Sequence, residues 1–393
     1  NSSMIYCSGR SSDDVSIYIA DIWLVKKAAV ESDVHFVSVG ENVTLSDNAK
    51  TILKGYSDVS CQILRPDGTK AAVKNGSFKA DEQGNYTVIY RGFDAEDRVI
   101  RASYRISAYP EEYRGTLWNT DSEAELGNYS KKIFSWLPEY DGEKGVIRWK
   151  GTGDDVWGWI FRGAVPLFDN SYYEGCNTLL VKVKTDDPDG AARLQYFAEN
   201  QKYDLEIVNV TDNWTEVEIP LTNKSSHADA CEGNFENFWE KFITESSSMI
   251  FCMDRSSDDV SIYIADIKLV YKKEVTSSVT MGNLGAELTL SDNGAEVFAG
   301  LDNLTRTVTG PDGKERTVTN GRFTPDKNGI YTIVYKANDR AGRMIYGSYL
   351  IRVYPAGMLW DTDSGLAAFG SYHTKLYEWL PEYDGEKGVV RWK

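Results

Sequence analysis

Residue types that commonly carry catalysis are scarce in this chain. The three histidines are His35, His227 and His373, and none lies in a recognisable nucleophile or metal motif. Adjacent acids such as Asp154-Asp155 and Asp258-Asp259 have the residue types of a glycosidase carboxylate pair. However, the chain contains 59 Asp and Glu residues, so adjacent acids are expected by chance. The sequence therefore favours a protein that is not an enzyme.

Aromatic residues beside polar ones are the second kind of candidate chemistry. The C–H face of a sugar ring stacks on a flat aromatic ring, while the sugar hydroxyls need donors and acceptors. The predicted sugar-binding residues are Trp157, Trp159, Tyr172, Tyr173, Asp155 and Arg162. Trp157 and Trp159 are two residues apart, so on a strand they would share one face. The alternative is that these rings pack in a core, and the sequence leaves both interpretations open for Trp157 and for the Tyr172-Tyr173 pair.

The five cysteines allow two interpretations. Cys176 and Cys231 form the preferred candidate disulfide. The alternative is that the cysteines are buried thiols that act as small hydrophobic residues.

Composition limits the class of protein. Hydrophobic residues make up 41% of the chain and aromatic residues 12%, which is enough to build several packed cores. The formal net charge of −16 argues against a nucleic acid or an anionic membrane as the partner. The sequence has no run of eighteen apolar residues, so no membrane insertion is predicted within it. An acidic, well-solvated surface is consistent with a location outside the cell.

Two long segments of the sequence occur twice. SSDDVSIYIADI stands at residues 11–22 and 256–267, and WLPEYDGEKGV at residues 136–146 and 379–389. The copies lie about 245 residues apart, so the chain holds roughly one and a half repeats of a tandem array. We therefore expect a slice of a longer protein. Because an enzyme seldom gains from repeating its catalytic domain, the array favours a structural or adhesive role, and the identity of WLPEYDGEKGV suggests a surface that makes repeated contacts.

Short alternating runs bounded by Gly, Asn, Asp and Pro predict β-strands from residue 34 to residue 353. Clear examples are residues 86–90, 178–183, 261–265 and 331–335, which are rich in β-branched and aromatic side chains. One helix is predicted, at residues 234–243, where four aromatic residues fall on one face. The predicted fold class is all-β.

Two short segments resemble bacterial immunoglobulin-like repeats of surface proteins. They are DEQGNYTVIYRGFDAEDRVIRASYRISA at residues 81–108 and DKNGIYTIVYKANDRAGRMIYGSYLIRV at residues 326–353. In that family a Gly-X-Tyr-Thr-Val-X-Tyr strand precedes an Asp-X-X-Gly hairpin turn. The first copy departs from this turn, with Glu96 and Asp97 where the second has Ala341 and Gly342. The resemblance implies immunoglobulin-like sandwiches at residues 26–109 and 271–354.

The region between them resembles galactose-binding-like jelly rolls, a class that includes many carbohydrate-binding modules. The resemblance rests on NWTEVEIPL at residues 213–221 and on the closing strand SIYIADI. It implies a jelly roll at residues 110–270, with the closing strands of another at residues 1–25 and an opening part at residues 355–393. The fold carries many unrelated functions, so the resemblance alone does not establish sugar binding.

The same resemblance implies a structural Ca²⁺ where the first and last strands of the jelly roll meet. Its ligands would be hard oxygen atoms, supplied by Asp121, Glu123 and Asp266. The alternative is that Asp121 caps a turn and Asp266 pairs with a neighbouring cation or amide.

The predicted protein is thus a chain of tandem β-sandwiches in which immunoglobulin-like domains alternate with galactose-binding-like jelly rolls. We expect an extracellular, non-enzymatic protein of a cell surface that forms a stalk, a fibre or an adhesin. Its expected partners are neighbouring copies of itself or adjacent repeats. The alternative function is carbohydrate binding, in which the jelly roll grips a polysaccharide and the immunoglobulin-like domain acts as a spacer.

Overall fold

The computed structural model describes residues 24–121, 134–149, 158–160, 166–187, 192–198, 203–204, 208–221, 248–253, 260–358 and 377–392. Strands account for 53% of the structure and helices for 6%, so the predicted all-β fold built from β-sandwiches is confirmed. The helix predicted at residues 234–243 lies outside the described residues. Among the helices that are described, none is long and apolar enough to cross a membrane.

The chain forms two compact units, Asn1–Glu111 and Glu112–Lys393. The first unit contains the N-terminal small sandwich, which has seven strands and one short helix, α1 (Ala49–Ile52). The strands are β1 (Lys26–Lys27), β2 (Phe36–Ser38), β3 (Asn42–Thr44), β4 (Ser57–Leu64), β5 (Ser77–Lys79), β6 (Gly84–Phe93) and β7 (Val99–Tyr109). One sheet has the order β1-β7-β6-β4, with β2 also paired to β7, and the other consists of β3 and β5.

The second unit begins with the large sandwich, which has eleven described strands. They are β8 (Thr116–Trp118), β9 (Phe134–Tyr140), β10 (Glu143–Trp149), β11 (Gly158–Ile160), β12 (Thr178–Thr185), β13 (Arg193–Ala198), β14 (Tyr203–Asp204), β15 (Val208–Asn209), β16 (Thr215–Pro220), β17 (Ser248–Met253) and β18 (Ile262–Lys272). One sheet contains β16, β12 and β18, joined by β8, β10 and β9. The second sheet has the order β11-β17-β13-β14, with β15 on β13. Single 3₁₀ turns lie at Glu111–Tyr113 and Asn170–Tyr173.

The C-terminal small sandwich follows in the same unit and repeats the plan of the N-terminal one. Its elements are β19 (Met281–Asn283), β20 (Leu288–Thr289), α2 (Gly294–Val297), β21 (Asp302–Thr309), β22 (Glu315–Arg316), β23 (Arg322–Phe323), β24 (Gly329–Asn338) and β25 (Met344–Tyr354). A separate hairpin, β26 (Tyr377–Tyr383) and β27 (Glu386–Trp392), repeats β9 and β10 in the same register. The predicted domain limits at residues 26–109, 110–270 and 271–354 stay predictions.

Alternation along the strands builds each core. In β24, Tyr331, Ile333 and Tyr335 are buried, while Ile330, which precedes them on the opposite face of the strand, is exposed. The same alternation buries Tyr86, Val88 and Tyr90 in β6. Because successive strand residues point to opposite faces, this pattern places one face on the core and the other outward.

In each small sandwich one half-buried aspartate connects the short helix to the sheet through hydrogen bonds. Asp292 accepts hydrogen bonds from the hydroxyls of Tyr335 and Tyr349, both 2.7 Å long, and from the backbone N–H of Gly294 at 2.9 Å. In the N-terminal small sandwich Asp47 accepts the same three bonds, from Tyr90 at 2.7 Å, Tyr104 at 2.6 Å and the Ala49 N–H at 3.0 Å. Each aspartate thus satisfies two tyrosine hydroxyls and fixes the start of the short helix.

Candidate functional site

The predicted sugar-binding residues fall into three groups in the structure. Asp155, Trp157 and Arg162 lie outside the described residues. Trp159 lies on β11, whose backbone pairs with β17 opposite Phe251, and β11 is the outermost of the described strands of its sheet. Tyr172 and Tyr173 lie on the 3₁₀ turn that precedes β12.

Tyr172 and Tyr173 are core residues. Their exposed fractions are 1% and 0%, and Tyr172 packs on Phe168 with a ring-centroid distance of 4.6 Å. The Tyr172 hydroxyl accepts a hydrogen bond from the Gly115 N–H at 2.8 Å, and the Tyr173 hydroxyl donates to the Thr116 carbonyl. No sugar ring has access to either face of these side chains. For this pair the structure selects core packing and corrects their placement among the sugar-binding residues.

Two of the three residues predicted to bind calcium, Asp121 and Asp266, are among the residues that the structure describes. The first and last strands of the large sandwich do meet, since β8 pairs with β18. However, Asp266 forms an ion pair with Lys268 at 2.7 Å, and Asp121 accepts a hydrogen bond from the Tyr113 hydroxyl. Glu123 lies outside the described residues, and within the described ranges no three His, Cys, Asp or Glu side chains are grouped as metal ligands. Each described carboxylate thus has a partner within the protein, and the calcium site stays a prediction.

Cys176 is a free, buried thiol in the structure, and its predicted disulfide with Cys231 stays a prediction. Cys231 itself lies outside the described residues. Burial raises the pKa of the Cys176 thiol to about 12. Cys176 therefore behaves as a small hydrophobic residue, because the reactive thiolate is disfavoured in apolar surroundings.

The large sandwich and the C-terminal small sandwich are in direct contact, and this contact is called the junction below. Strand β18 belongs to both. Along most of its length it pairs antiparallel with β12, and its last two residues, Tyr271 and Lys272, pair parallel with Ile345 and Tyr346 of β25. One sheet of eleven strands therefore runs through both sandwiches. No flexible segment separates them, since the strand that ends one sandwich begins the other.

An apolar cluster forms the centre of the junction. Leu180 and Val270 of the large sandwich pack with Met344 and Tyr346 of the small one, and the exposed fraction of each is 9% or less. Val334 on β24 packs against the same cluster. Burial of apolar side chains at about 25 cal/mol per Å² makes this cluster a stabilising contact between the sandwiches.

Glu218 on β16 is the main polar anchor of the junction. Its carboxylate accepts hydrogen bonds from the Tyr346 hydroxyl at 2.8 Å and the Ser348 hydroxyl at 2.5 Å, and it forms an ion pair with Lys272. Glu216, on the same strand β16, forms a second ion pair across the junction with Lys336, 3.1 Å long. Burial, followed by the charges of Glu218 and Glu216, raises the pKa of Tyr346, so its hydroxyl stays protonated and donates.

Backbone contacts close the rim of the junction. Arg343 donates to the carbonyl of Glu174 at 2.7 Å, and the buried Arg114 donates to the carbonyl of Gly342. Asn177 brackets the backbone of Lys272: its side-chain oxygen accepts from the Lys272 N–H at 2.7 Å, and its amide donates to the Lys272 carbonyl at 3.1 Å. The two bonds from Asn177 hold the last residue of β18 in place where the strand leaves the large sandwich.

The repeated WLPEYDGEKGV segment is the β9–β10 hairpin. Within the large sandwich Tyr140 stacks on Tyr263 with ring centroids 4.1 Å apart, and Glu143 forms an ion pair with Lys182 at 2.6 Å. The Trp214 indole N–H donates to the carbonyl of Asp141 at 3.2 Å. These contacts lie inside one sandwich, so they explain part of the sequence identity by local packing. In the second copy Tyr383, the counterpart of Tyr140, is 60% exposed.

Sequence reasoning missed Glu216 and Glu218 as functional residues. Both lie in the NWTEVEIPL segment, whose pattern predicts a strand of the jelly roll but no contact. The available signal was their spacing, because acids two residues apart on a strand share one face. Their partners lie about 120 to 130 residues further along the chain, and no local pattern indicates such a pairing.

Comparisons with known proteins give matches of fold only. No family model matches the sequence, and no curated protein matches it. A structure of carbohydrate-binding modules from the β-sandwich superfamily matches at 12% identity over 64% of this chain and 100% of that chain, with a TM-score of 0.23. The M60 catalytic domain with the CBM51-1 and CBM51-2 domains of ZmpB from Clostridium perfringens matches at 11% identity over 85% of this chain and 32% of that chain, with a TM-score of 0.22. A tetra-tandem repeat from the extending region of a large adhesion protein matches at 12% identity over 83% of this chain and 73% of that chain, with a TM-score of 0.15.

Proposed function

We propose that this chain is part of a non-enzymatic extracellular repeat protein that forms a stalk, fibre or adhesin on a cell surface. The observation that carries the proposal is β18, which passes from the large sandwich into the C-terminal small sandwich as a single paired strand. A stalk has to keep successive domains in a fixed order and orientation, and a shared strand supports this better than a Gly/Ser linker. The acidic composition and the repeated sequence support the same role.

We expect antibodies raised against this chain to label the outside of intact cells that produce it. The reason is that a stalk or adhesin must be exposed to solvent beyond the cell envelope. Immunogold electron microscopy checks the location, and brief treatment of intact cells with protease should remove the label. Label that appears only after the cells are permeabilised would contradict the proposal.

The second candidate function is polysaccharide binding by the large sandwich. The observation that favours it is the position of Trp159 on β11, the outermost described strand of the second sheet, close in sequence to Asp155, Trp157 and Arg162. A glycan site at this strand would combine the aromatic rings of Trp157 and Trp159 with the polar side chains of Asp155 and Arg162.

If the large sandwich binds a polysaccharide, migration of the full 393-residue chain in a gel containing that polysaccharide should be retarded, and Trp157→Ala with Trp159→Ala should abolish the retardation. Loss of aromatic stacking would weaken binding about 10-fold or more. Tyr383→Ala is the matched control, because it removes an exposed aromatic ring far along the chain from these residues. Equal migration of wild type and double variant in gels of several glycan classes would leave the stalk as the supported function.

A further inference from the structure

The N-terminal small sandwich carries a second copy of the face that forms the junction. In the C-terminal small sandwich this outer face consists of Lys336 on β24 and Tyr346 and Ser348 on β25, with Lys272 at the end of β18. All four side chains contact Glu216 or Glu218. These two glutamates are called the acidic edge below.

The backbone that frames the face is the same in both small sandwiches. Lys26 and Lys27 of β1 pair parallel with Ile100 and Arg101 of β7, in the register in which Tyr271 and Lys272 pair with Ile345 and Tyr346. The next bond is also reproduced, from the Ala28 N–H to the Arg101 carbonyl at 2.9 Å and from the Lys273 N–H to the Tyr346 carbonyl at 2.8 Å. A strand thus enters each small sandwich in one geometry.

Two of the four side chains of this face are the same in both copies, and the other two are arginines in the N-terminal copy. Lys27 and Ser103 of the N-terminal small sandwich are the counterparts of Lys272 and Ser348, and they are unchanged in type. Arg101 replaces Tyr346, and Arg91 replaces Lys336. Both arginines lie on the exposed side of their strands. Each replacement keeps a hydrogen-bond donor that can reach a carboxylate, and a guanidinium can bind a carboxylate with two parallel bonds.

We propose that the acidic edge is a general docking surface for small sandwiches, and that the N-terminal small sandwich binds, through Arg101 and its neighbours, the same acidic edge of a preceding large sandwich. This inference rests on the proposed repeat architecture. The partner is a large sandwich with two carboxylates at the positions of Glu216 and Glu218. Recognition depends on donors and positive charge on the small sandwich, and it tolerates both the Lys-Tyr and the Arg-Arg pair. The same kind of contact, between carboxylates of a large sandwich and donors of the small sandwich that follows it, would then recur along the chain.

The test uses the full 393-residue chain and compares two double variants by hydrogen exchange. In the exchanged-face variant, Lys336→Arg with Tyr346→Arg, the C-terminal small sandwich carries the donors of the N-terminal one. In the reversed-face variant, Lys336→Glu with Tyr346→Glu, four carboxylates meet. We expect the exchanged-face variant to keep the amide protection of β16 and of the first residues of β25 within about threefold of wild type. The reversed-face variant should lose protection there by about 100-fold, because like charges at a buried contact are strongly unfavourable.

Two controls separate docking from unfolding. Protection of β21, which lies at the far side of the C-terminal small sheet, shows whether that sandwich stays folded, and β6 and β7 report on the N-terminal sandwich. Lys336→Glu alone should be rescued by adding Glu216→Lys, because this restores an ion pair of opposite direction.

The outcomes decide the inference. Equal loss of protection in the exchanged-face and reversed-face variants would overturn it, since shape and not donor chemistry would then select the partner. Unchanged protection in the reversed-face variant would also overturn it, because the acidic edge would contribute nothing to docking. A chain found only inside cells would refute the proposed function while leaving these exchange patterns as they are, so the two failures are distinguishable.

Discussion

Replacing Asp292 with alanine is expected to destabilise the C-terminal small sandwich by about 3 kcal/mol. The variant removes the acceptor for the hydroxyls of Tyr335 and Tyr349 and for the Gly294 N–H. Tyr335 is only 3% exposed, so its hydroxyl cannot turn to bulk water in compensation. Hydrogen exchange measured for β24 and β25 checks the prediction, with the loss of protection restricted to this sandwich.

Asp47→Ala is the matched variant in the N-terminal small sandwich, because Asp47 accepts the corresponding three bonds. It should accelerate exchange in β6 and β7 and leave β24 and β25 unchanged. If Asp292→Ala exchanged like wild type in β24 and β25, the aspartate would have no structural role.

The charge of Asp292 makes the same contact dependent on pH. Burial favours a higher pKa, but the hydrogen bonds from Tyr349, Tyr335 and Gly294 and the charge of Arg306 outweigh it, so the pKa of Asp292 is lowered. A carboxylate whose pKa is lower in the folded state stabilises the fold above its unfolded pKa, and this contribution is lost as pH falls through the folded pKa. Exchange in β24 should therefore become more sensitive to acid in wild type than in Asp292→Asn, which has no charge to titrate.

Gly145→Ala is expected to destabilise the large sandwich by about 3 kcal/mol, the second large effect. Gly145 has a positive φ of 61° and lies opposite Pro138 in the β9–β10 hairpin, whose register is the same on both sides of this position. A Cβ atom at this position would lie 2.5 Å from the carbonyl oxygen of Thr120. That oxygen already accepts the Trp136 indole N–H at 2.8 Å, so it cannot move away without losing this bond.

Gly142→Ala is the control for Gly145→Ala, since Gly142 also has a positive φ, 83°, but a Cβ atom there would meet nothing within 4 Å. Its cost should be the conformational term alone, about 1 kcal/mol. Urea unfolding followed by tryptophan emission measures both variants, because seven of the eleven tryptophans lie between Trp118 and Trp239. Equal unfolding midpoints for the two variants would show that the close approach to Thr120 is unimportant.

The strands were predictable from the sequence because their signals are local. The alternation in residues 331–335 and the Asn320-Gly321 turn depend only on neighbouring residues, and the structure has β24 and a turn with positive φ at these positions. The roles of individual aromatic side chains were not predictable in this way. Tyr172 and Tyr173 stand beside turn residues, which suggested a surface loop, but their hydroxyls bond to the backbone of Gly115 and Thr116, 57 residues earlier in the chain. Contacts of such sequence separation leave no periodic pattern.

The shared strand β18 also limits how a chain of this kind can change in length. Because its residues are in register with β12 on one side of the junction and with β25 on the other, inserting or deleting one residue between Ile262 and Lys272 would turn inward-pointing side chains outward in one of the two sandwiches. Duplication events that break inside this strand would therefore leave two damaged folds. Gene copying that adds a whole large-plus-small pair preserves every register, so such proteins are expected to grow in steps of the full pair.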